Sequence, residues 1–170
     1  MRPCSLLSLA TAVPPHVIEQ QDAKAIARRA FRRKNLFEKL ETVFDNAAIA
    51  RRHVAAPPEW YAEPHGWAER NQVYLAASES LFIEAAAKAI DSASLKPEEI
   101  DGVVAVSTTG IATPSLEARA GPKLGLRSDV RRLPVFGLGC AGGVNGLATA
   151  SRMAAADPGS NWLFVTVETC

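Results

Sequence analysis

The order of apolar and polar residues along the chain predicts alternating helices and strands. Apolar residues recur at helical spacing in five segments, residues 20–33, 35–50, 67–92, 115–124 and 144–156. Short apolar runs typical of strands occupy residues 5–12, 102–107, 132–136 and 162–167. The polar, proline-containing stretches 55–66 and 94–99 predict connections. This alternation is typical of α/β layered folds, in which helices cover a sheet.

One cysteine lies in a glycine-rich turn between a strand-like run and an alanine-rich helix-like run. The turn is formed by residues 136–146, and the cysteine is Cys140. Its position predicts a helix N-terminus, where unpaired N–H groups and the positive end of the helix dipole favour a thiolate. The neighbouring glycines would let a substrate approach closely. Two interpretations remain open from these residues: a reactive nucleophile, or a small buried apolar side chain, the usual role of a lone cysteine.

Three blocks in the second half of the chain resemble a known enzyme family. They are residues 106–115 (VSTTGIATPS), residues 124–127 (LGLR) followed by Arg131 and Arg132, and the turn GCAGG at 139–143. Their order and separation resemble those of bacterial type III polyketide synthases, relatives of chalcone and stilbene synthases in the thiolase superfamily. The opening residues 6–15 and the run 68–71 resemble the same family, so the resemblance covers nearly the whole chain.

The resemblance implies an α/β, thiolase-like layered fold with a mixed sheet covered by helices. Residues 1–170 would form only the N-terminal half, because these synthases carry the nucleophilic cysteine in a first half and a catalytic His and Asn in a second. The chain contains three histidines, His16, His53 and His65, and all precede Cys140. None lies in a segment that resembles the family's histidine block, so surface or loop positions are expected for them.

The chemistry that the resemblance implies is acyl transfer followed by carbon–carbon bond formation. Cys140 would accept a starter acyl group from an acyl-CoA, and the enolate formed by decarboxylation of malonyl-CoA would attack it. No metal or cofactor is expected besides these CoA substrates. A ketoacyl-carrier-protein synthase of the initiating type remains an alternative, although Thr108-Thr109-Gly110 together with the cysteine turn favours the polyketide synthase. A truncated, non-catalytic homologue that serves as a binding or dimerisation partner is a further alternative.

Four other site residues follow from the resemblance. Thr108 is expected to line the pocket beside the nucleophile, and Thr113 to point toward the pocket of a neighbouring subunit. Glu168 is expected to lie buried near the site, and Cys170 to form a pocket wall that tunes the choice of starter. A structural role for Thr108 and an ion pair for Glu168 remain open.

The residues expected to bind coenzyme A depart most from the pattern of the family. In plant relatives, three basic residues on the helix before the arginine pair bind the phosphates of coenzyme A. Here Lys39 occupies one of those positions, whereas Thr42 and Asn46 occupy the other two. Lys39 and Arg52 are therefore expected to contact coenzyme A, since arginine can bind phosphate oxygens bidentately. A purely structural role for Arg51 and Arg52 remains open.

The composition limits which partners and which cellular compartment are expected for this chain. The formal net charge is +1 and no basic stripe is interleaved with aromatics, which argues against nucleic acid or an anionic membrane as partner. The three cysteines, Cys4, Cys140 and Cys170, suit neither a disulfide framework nor a zinc site, so reduced thiols in the cytoplasm are expected. A half-fold would leave an apolar face exposed. We therefore expect a partner: a second copy in a homodimer, a separate second half carrying His and Asn, or the remainder of a longer polypeptide.

Overall fold

A computed structural model describes residues 4–30 and 34–169 of the chain, with the side chains of residues 34–36 excepted. Two compact units are present. The smaller comprises residues 13–73, and the larger comprises residues 4–12 together with residues 74–169. Residues predicted from the sequence to serve the site occur in both units.

The smaller unit contains an antiparallel pair of short strands, β1 (His16–Glu19) and β2 (Arg51–Val54), in which Ile18 faces Arg52. Along the chain, three helices separate β1 from β2: α1 (Gln20–Ala30), α2 (Lys34–Leu40) and α3 (Thr42–Asn46). A 3-10 turn, Pro58–Ala62, follows β2. The unit ends in the first residues of α4 (Trp67–Ser92), whose remainder belongs to the larger unit.

A three-stranded parallel sheet forms the centre of the larger unit. Its middle strand is β3 (Gly102–Val106), with β4 (Arg131–Val135) on one side and β5 (Trp162–Thr166) on the other. All five residues of β3 are buried, as expected for a central strand with helices on both faces. The remaining helices are α5 (Leu116–Leu124) and α6 (Gly142–Ala156). In the described part of the chain, the antiparallel pairing is confined to β1 and β2.

The two faces of the sheet have separate apolar cores. Val103 and Ala105 belong to a cluster with α4 and α5 residues that include Phe82, Ile90 and Ala120. Side chains alternate across a strand, so Val104 and Val106 point to the opposite face and pack with Ala150 of α6. Helices therefore cover both faces of the sheet, which confirms the α/β layered fold.

The predicted first strand, residues 5–12, is wrong. These residues form no strand and pair with no described residue as a strand would, and Leu6, Leu7 and Leu9 are exposed. The Ser8 hydroxyl donates a hydrogen bond of 2.7 Å to the carbonyl of Ala89. An apolar run indicates strand propensity, but a strand also requires a neighbour for its backbone N–H and C=O groups.

The single helix predicted over residues 35–50 is also wrong, because the chain forms two short helices that are interrupted at Glu41. Leu40 and Val43, two of the residues expected on one buried face, are exposed. Without burial of that face, tertiary packing does not stabilise one continuous helix. The prediction of a loop over residues 55–66 missed the 3-10 turn Pro58–Ala62.

Candidate active site

Cys140 lies in a 3-10 turn, Gly139–Ala141, directly before α6 begins at Gly142. The predicted position at a helix N-terminus is confirmed. Gly137 (φ 85°) and Gly139 (φ 53°) adopt left-handed backbone conformations that favour glycine. The thiol of Cys140 is free and the residue is exposed, so the interpretation as a buried apolar side chain is wrong.

Close packing of α6 on the sheet fixes the position of this turn. A Cβ atom on Gly142 would lie 2.6 Å from Cγ1 of Val106, and one on Gly146 would lie 2.4 Å from Cε2 of Phe164. Any side chain at these positions would push the helix off the sheet. The glycines therefore place the N-terminus of α6, and with it Cys140, against the carboxyl end of β3.

Three predicted site residues follow the carboxyl ends of parallel strands. Thr108 follows β3, Cys140 follows β4 and Glu168 follows β5. Because these ends share one edge of the sheet, the fold brings all three residues to the same edge. In open parallel sheets this is the edge where ligands bind.

The Glu168 carboxylate binds the loop that contains Thr108. The backbone N–H of Thr108 donates to both carboxylate oxygens at 2.9 and 3.1 Å, and the N–H of Thr109 donates at 2.9 Å. The Thr109 hydroxyl donates to the same carboxylate. The carboxylate thus fixes the backbone of two successive residues.

The environment of Glu168 differs from the expectation. The residue is exposed rather than buried, because it lies beyond the end of β5. Its partners among the described residues are backbone N–H groups and a hydroxyl rather than a cation. The ion-pair alternative for Glu168 is therefore not seen in the described part of the chain.

The other predicted pocket residues differ in how far they are exposed to solvent. Thr108 is half-buried, and its buried Oγ1 atom has no hydrogen-bond partner among the described residues. Thr113 is exposed in the loop that precedes α5. Cys170 lies outside the described residues.

Lys39 and Arg52, the predicted coenzyme A contacts, both belong to the smaller unit. Lys39 is exposed on α2, whereas Nε of the half-buried Arg52 donates to Oε1 of Gln20 at 2.9 Å. The break at Glu41 separates Lys39 on α2 from Thr42 and Asn46 on α3. The single helix face expected to carry all three positions is therefore not formed.

All three histidines lie in the smaller unit. His16 begins β1 and His53 belongs to β2, where its Nδ1 lies 3.0 Å from the carbonyl oxygen of Pro14. His65 stacks on Trp60 with ring centroids 4.0 Å apart. Its Nδ1 lies 2.7 Å from Oε1 of Glu69, and the hydrogen bond with that carboxylate is the main cause of a raised pKa for His65.

A cleft that the sequence did not reveal lies in the larger unit beside β4. Its volume is about 70 Å³, and its lining includes Tyr74, Ser107, Ser115, Glu117, Pro134 and Phe136. The hydroxyls of Tyr74 and Ser107 lie 2.8 Å apart, and burial raises the pKa of Tyr74. We call this feature the Glu117 cleft.

Glu117 is the unexpected residue of this cleft, since it is only 2% exposed. Its Oε1 accepts a hydrogen bond from the Ser115 hydroxyl, whereas its Oε2 has no partner among the described residues. An acidic residue in the first turn of a helix normally indicates a solvent-exposed carboxylate that stabilises the helix dipole. Nothing in the sequence therefore marked Glu117 as buried.

Across residues 4–30 and 34–169, no group of three or more His, Cys, Asp or Glu side chains is arranged to bind a metal ion. None of the helices within the same ranges combines the length and the apolar character needed to cross a membrane.

Solved structures identify the class of this fold. The 1,3,6,8-tetrahydroxynaphthalene synthase of Streptomyces coelicolor A3(2), a bacterial type III polyketide synthase, superposes with a TM-score of 0.86 at 32% identity. The match covers 96% of this chain and 48% of that enzyme. The fold is that of the N-terminal half of a type III polyketide synthase.

Sequence comparisons specify the family. The family model for chalcone and stilbene synthases, N-terminal domain, matches residues 2–170, so the chain belongs to the chalcone and stilbene synthase family. The 1,3,6,8-tetrahydroxynaphthalene synthase of Streptomyces peucetius subsp. caesius is 36% identical, covering 99% of this chain and 45% of that protein. A putative chalcone synthase of Bacillus subtilis (strain 168) is 33% identical, covering 97% and 47%. The chain thus spans about half the length of these relatives.

Proposed function

We propose that this chain is the nucleophile-bearing half of a type III polyketide synthase and that Cys140 accepts the starter acyl group. The observation that carries the proposal is the free, exposed thiol of Cys140 directly before α6. A group at this position lies at the positive end of the α6 dipole, which stabilises the negative charge that develops on the substrate oxygen during attack. Membership of the family supports the same assignment.

The first step is transthioesterification. The Cys140 thiolate attacks the carbonyl carbon of an acyl-CoA thioester, and the tetrahedral intermediate expels the thiolate of coenzyme A. An acyl-cysteine remains on the enzyme, which divides one difficult condensation into two easier reactions. Lys39 and Arg52 would contact the coenzyme A phosphates, as cationic side chains suited to binding anionic oxygens.

The second step is decarboxylative condensation. Malonyl-CoA loses carbon dioxide, and the resulting enolate attacks the acyl-cysteine carbonyl, with release of the Cys140 thiolate. Repeated extension and cyclisation would give an aromatic or pyrone product. The enolate requires positioned hydrogen-bond donors, which we assign to a His and an Asn in a second half, because His53 and His65 of this chain already contact other groups. The scheme uses acyl-CoA and malonyl-CoA as substrates and calls for no metal.

The neighbouring residues would shape the acyl pocket. Thr108 follows β3 at the same edge of the sheet as Cys140, so this residue would border a bound thioester. Glu168 would act indirectly, because it fixes the Thr108 backbone. Thr113 and Cys170 would line the pocket, Thr113 from the neighbouring subunit of a homodimer.

Intact-mass spectrometry after incubation with a panel of acyl-CoA thioesters tests the proposal. We expect one acyl group per chain, located on the peptide that contains Cys140. Cys140→Ser should abolish this adduct, whereas Cys4→Ser, the matched change at another exposed free cysteine, should retain it. Equal acylation of the Cys140→Ser variant would exclude Cys140 as the nucleophile. Absence of an adduct with every thioester would favour a non-catalytic binding partner.

A further inference from the structure

Tyr74 of α4 makes two contacts with the loop that follows β3. The residue belongs to the larger unit and is only 5% exposed. Its hydroxyl lies 2.8 Å from the hydroxyl of Ser107, the first residue after the strand. Its ring packs directly on Gly110, where an added Cβ would lie 2.3 Å from Cδ1 of the ring. The two contacts hold both ends of the loop 107–110 against α4.

The middle of the same loop is held by a different group, the carboxylate of Glu168. It accepts the N–H groups of Thr108 and Thr109. Thr169, the next residue of the chain, has its Oγ1 atom 3.3 Å from Oγ of Ser78 on α4. Ser78 is buried and lies one helical turn after the tyrosine. One face of α4 therefore contacts the loop after β3 and also the residues after β5 that bind this loop.

What tyrosine adds over phenylalanine at this position is a directional contact. Phenylalanine would fill the same space against Gly110 without burying a polar group, and a buried hydroxyl costs free energy unless it is hydrogen-bonded. Burial is the main cause of a raised pKa for Tyr74, so the phenol keeps its proton at neutral pH. The Ser107 hydroxyl is its matching partner, because either oxygen can donate or accept. The pair thus joins the helix to the loop in a way that an apolar side chain could not.

We propose that Tyr74 is a positioning residue of the candidate active site: its hydroxyl and ring fix the loop 107–110, and the fixed loop places Thr108 beside the acyl group on Cys140. Thr108 and Cys140 follow adjacent parallel strands at one edge of the sheet. A small shift of the loop would therefore misplace Thr108 relative to the bound thioester. Tyr74 acts through the loop rather than on the reacting atoms. The inference rests on the proposed function, because it assigns the loop a role in acylation.

Hydrogen exchange in the complete protein tests whether Tyr74 holds the loop. Tyr74→Phe keeps the ring on Gly110 and removes only the hydroxyl. Exchange of the Thr108 and Thr109 amides should then accelerate by about two- to tenfold, the range for loss of one hydrogen bond. Ser107→Ala should have the same effect, and the double variant should exchange no faster than either single variant. The amides within β3 should exchange as in the wild type.

The rate of Cys140 acylation, followed by intact-mass spectrometry, tests the role of the loop in the reaction. In Tyr74→Phe the rate at saturating acyl-CoA should fall by about two- to tenfold. The acyl-CoA concentration that gives half the maximal rate should not change, because the residues proposed to contact coenzyme A are intact. Tyr61→Phe is the matched control, since it removes the chain's other tyrosine hydroxyl, which accepts a hydrogen bond from the Ala56 N–H in the smaller unit. It should change neither measurement.

Several outcomes would overturn the role of Tyr74. Unchanged exchange at Thr108 and Thr109 in the Tyr74→Phe variant would do so, as would additive effects of this change and Ser107→Ala. Exchange that accelerates equally within β3 would mean a general loss of stability instead of positioning. A Tyr74→Phe variant that is acylated as fast as the wild type would overturn this role alone. If no acyl-CoA acylates even the wild-type protein, the proposed function fails and this role fails with it.

Discussion

At the scale of single residues, His65 shows how local partners set a protonation equilibrium. One ring nitrogen lies 2.7 Å from the Glu69 carboxylate, and the other lies 2.7 Å from the carbonyl oxygen of Trp60. The hydrogen bond with Glu69 raises the pKa of His65 above 6.5, and the carbonyl of Trp60 acts in the same direction against the effect of burial. The charged form of His65 is therefore more stable in the folded chain than in the unfolded chain.

This raised pKa predicts a pH-dependent stability. The stabilising contribution of the pair is fully present below the unfolded-state pKa of about 6.5 and is lost as the pH rises through the higher folded-state pKa. The free energy of unfolding, measured with denaturant, should therefore fall between about pH 5 and about pH 9. This fall should be smaller in the Glu69→Gln variant than in the wild type. His16 and His53 are common to both proteins, so the difference between the two curves reports on His65. Identical curves would show that Glu69 does not set this equilibrium.

Glu168 acts on the candidate site through the backbone of its neighbours. Its carboxylate accepts the N–H groups of Thr108 and Thr109. In Glu168→Ala both amides lose a charged acceptor, and hydrogen exchange at these positions should accelerate by about tenfold or more. Glu168→Gln retains an acceptor oxygen and should give an intermediate rate.

The matched control for this measurement is Glu38→Ala, which removes an exposed carboxylate from α2 and should leave the Thr108 and Thr109 amides unchanged. Unchanged exchange in the Glu168→Ala variant would mean that other contacts fix this loop. Iodoacetamide labelling of Cys140 provides a second readout, because a displaced Thr108 loop would alter access to the same edge of the sheet.

At the scale of elements, the contact between α6 and the sheet depends on glycine. Gly146 lies where an added Cβ would approach Phe164 and Val106 within 3 Å, whereas an added Cβ on Gly143 meets nothing within 4 Å. Gly146→Ala should therefore lower the free energy of unfolding by about 1–3 kcal/mol through overpacking. Gly143→Ala should be neutral or stabilising by up to about 1 kcal/mol, because alanine restricts the unfolded chain. Equal effects in denaturant unfolding would contradict this account of the helix position.

The sequence was most informative where an element buries one continuous face. The stripe over residues 67–92 predicted α4 with its observed bounds, Trp67–Ser92, because 26 residues contain enough helical repeats to define the period. The strands at 102–107, 132–136 and 162–167 were predicted to within one residue at each end. Residues 5–12 misled the prediction because strand formation depends on a neighbour that sequence periodicity does not reveal.

In the candidate site too, local features could be predicted from the sequence, whereas contacts between distant residues could not. Cys140 could be placed because the glycine run and the helix that follows it are local features of the sequence. The pairing of β1 with β2 and the burial of Glu117 depend on residues distant in the sequence, and neither was predicted. The Glu168 contacts also join residues separated by 60 positions. Local patterns thus located Cys140, whereas its surroundings required the fold.

At the scale of the whole molecule, α6 carries little charge and leaves large apolar side chains exposed. Its 15 residues include one charged side chain, that of Arg152. One side packs on the sheet through Gly146 and Ala150, which are buried, yet Val144 is 77% exposed and Leu147 is 48% exposed. Large apolar side chains that remain exposed on a helix already packed on a sheet indicate a surface that another layer can cover. This exposed side of α6 supports the proposal of a second half that covers it.

The exposed apolar side of α6 predicts that one double variant will behave differently in residues 1–170 alone and in a longer form that includes the second half. Val144→Lys with Leu147→Lys should change the unfolding free energy of residues 1–170 alone by no more than about 0.5 kcal/mol, because both side chains are already exposed. In a longer form whose second half covers α6, the same change would bury two charges and should prevent assembly or strongly destabilise it. Ser80→Lys with Ala87→Lys adds equal charge at exposed positions of α4 and should be tolerated in both forms. If the longer form tolerates both double variants equally, the second half does not pack on α6, and the exposed apolar side requires a different partner.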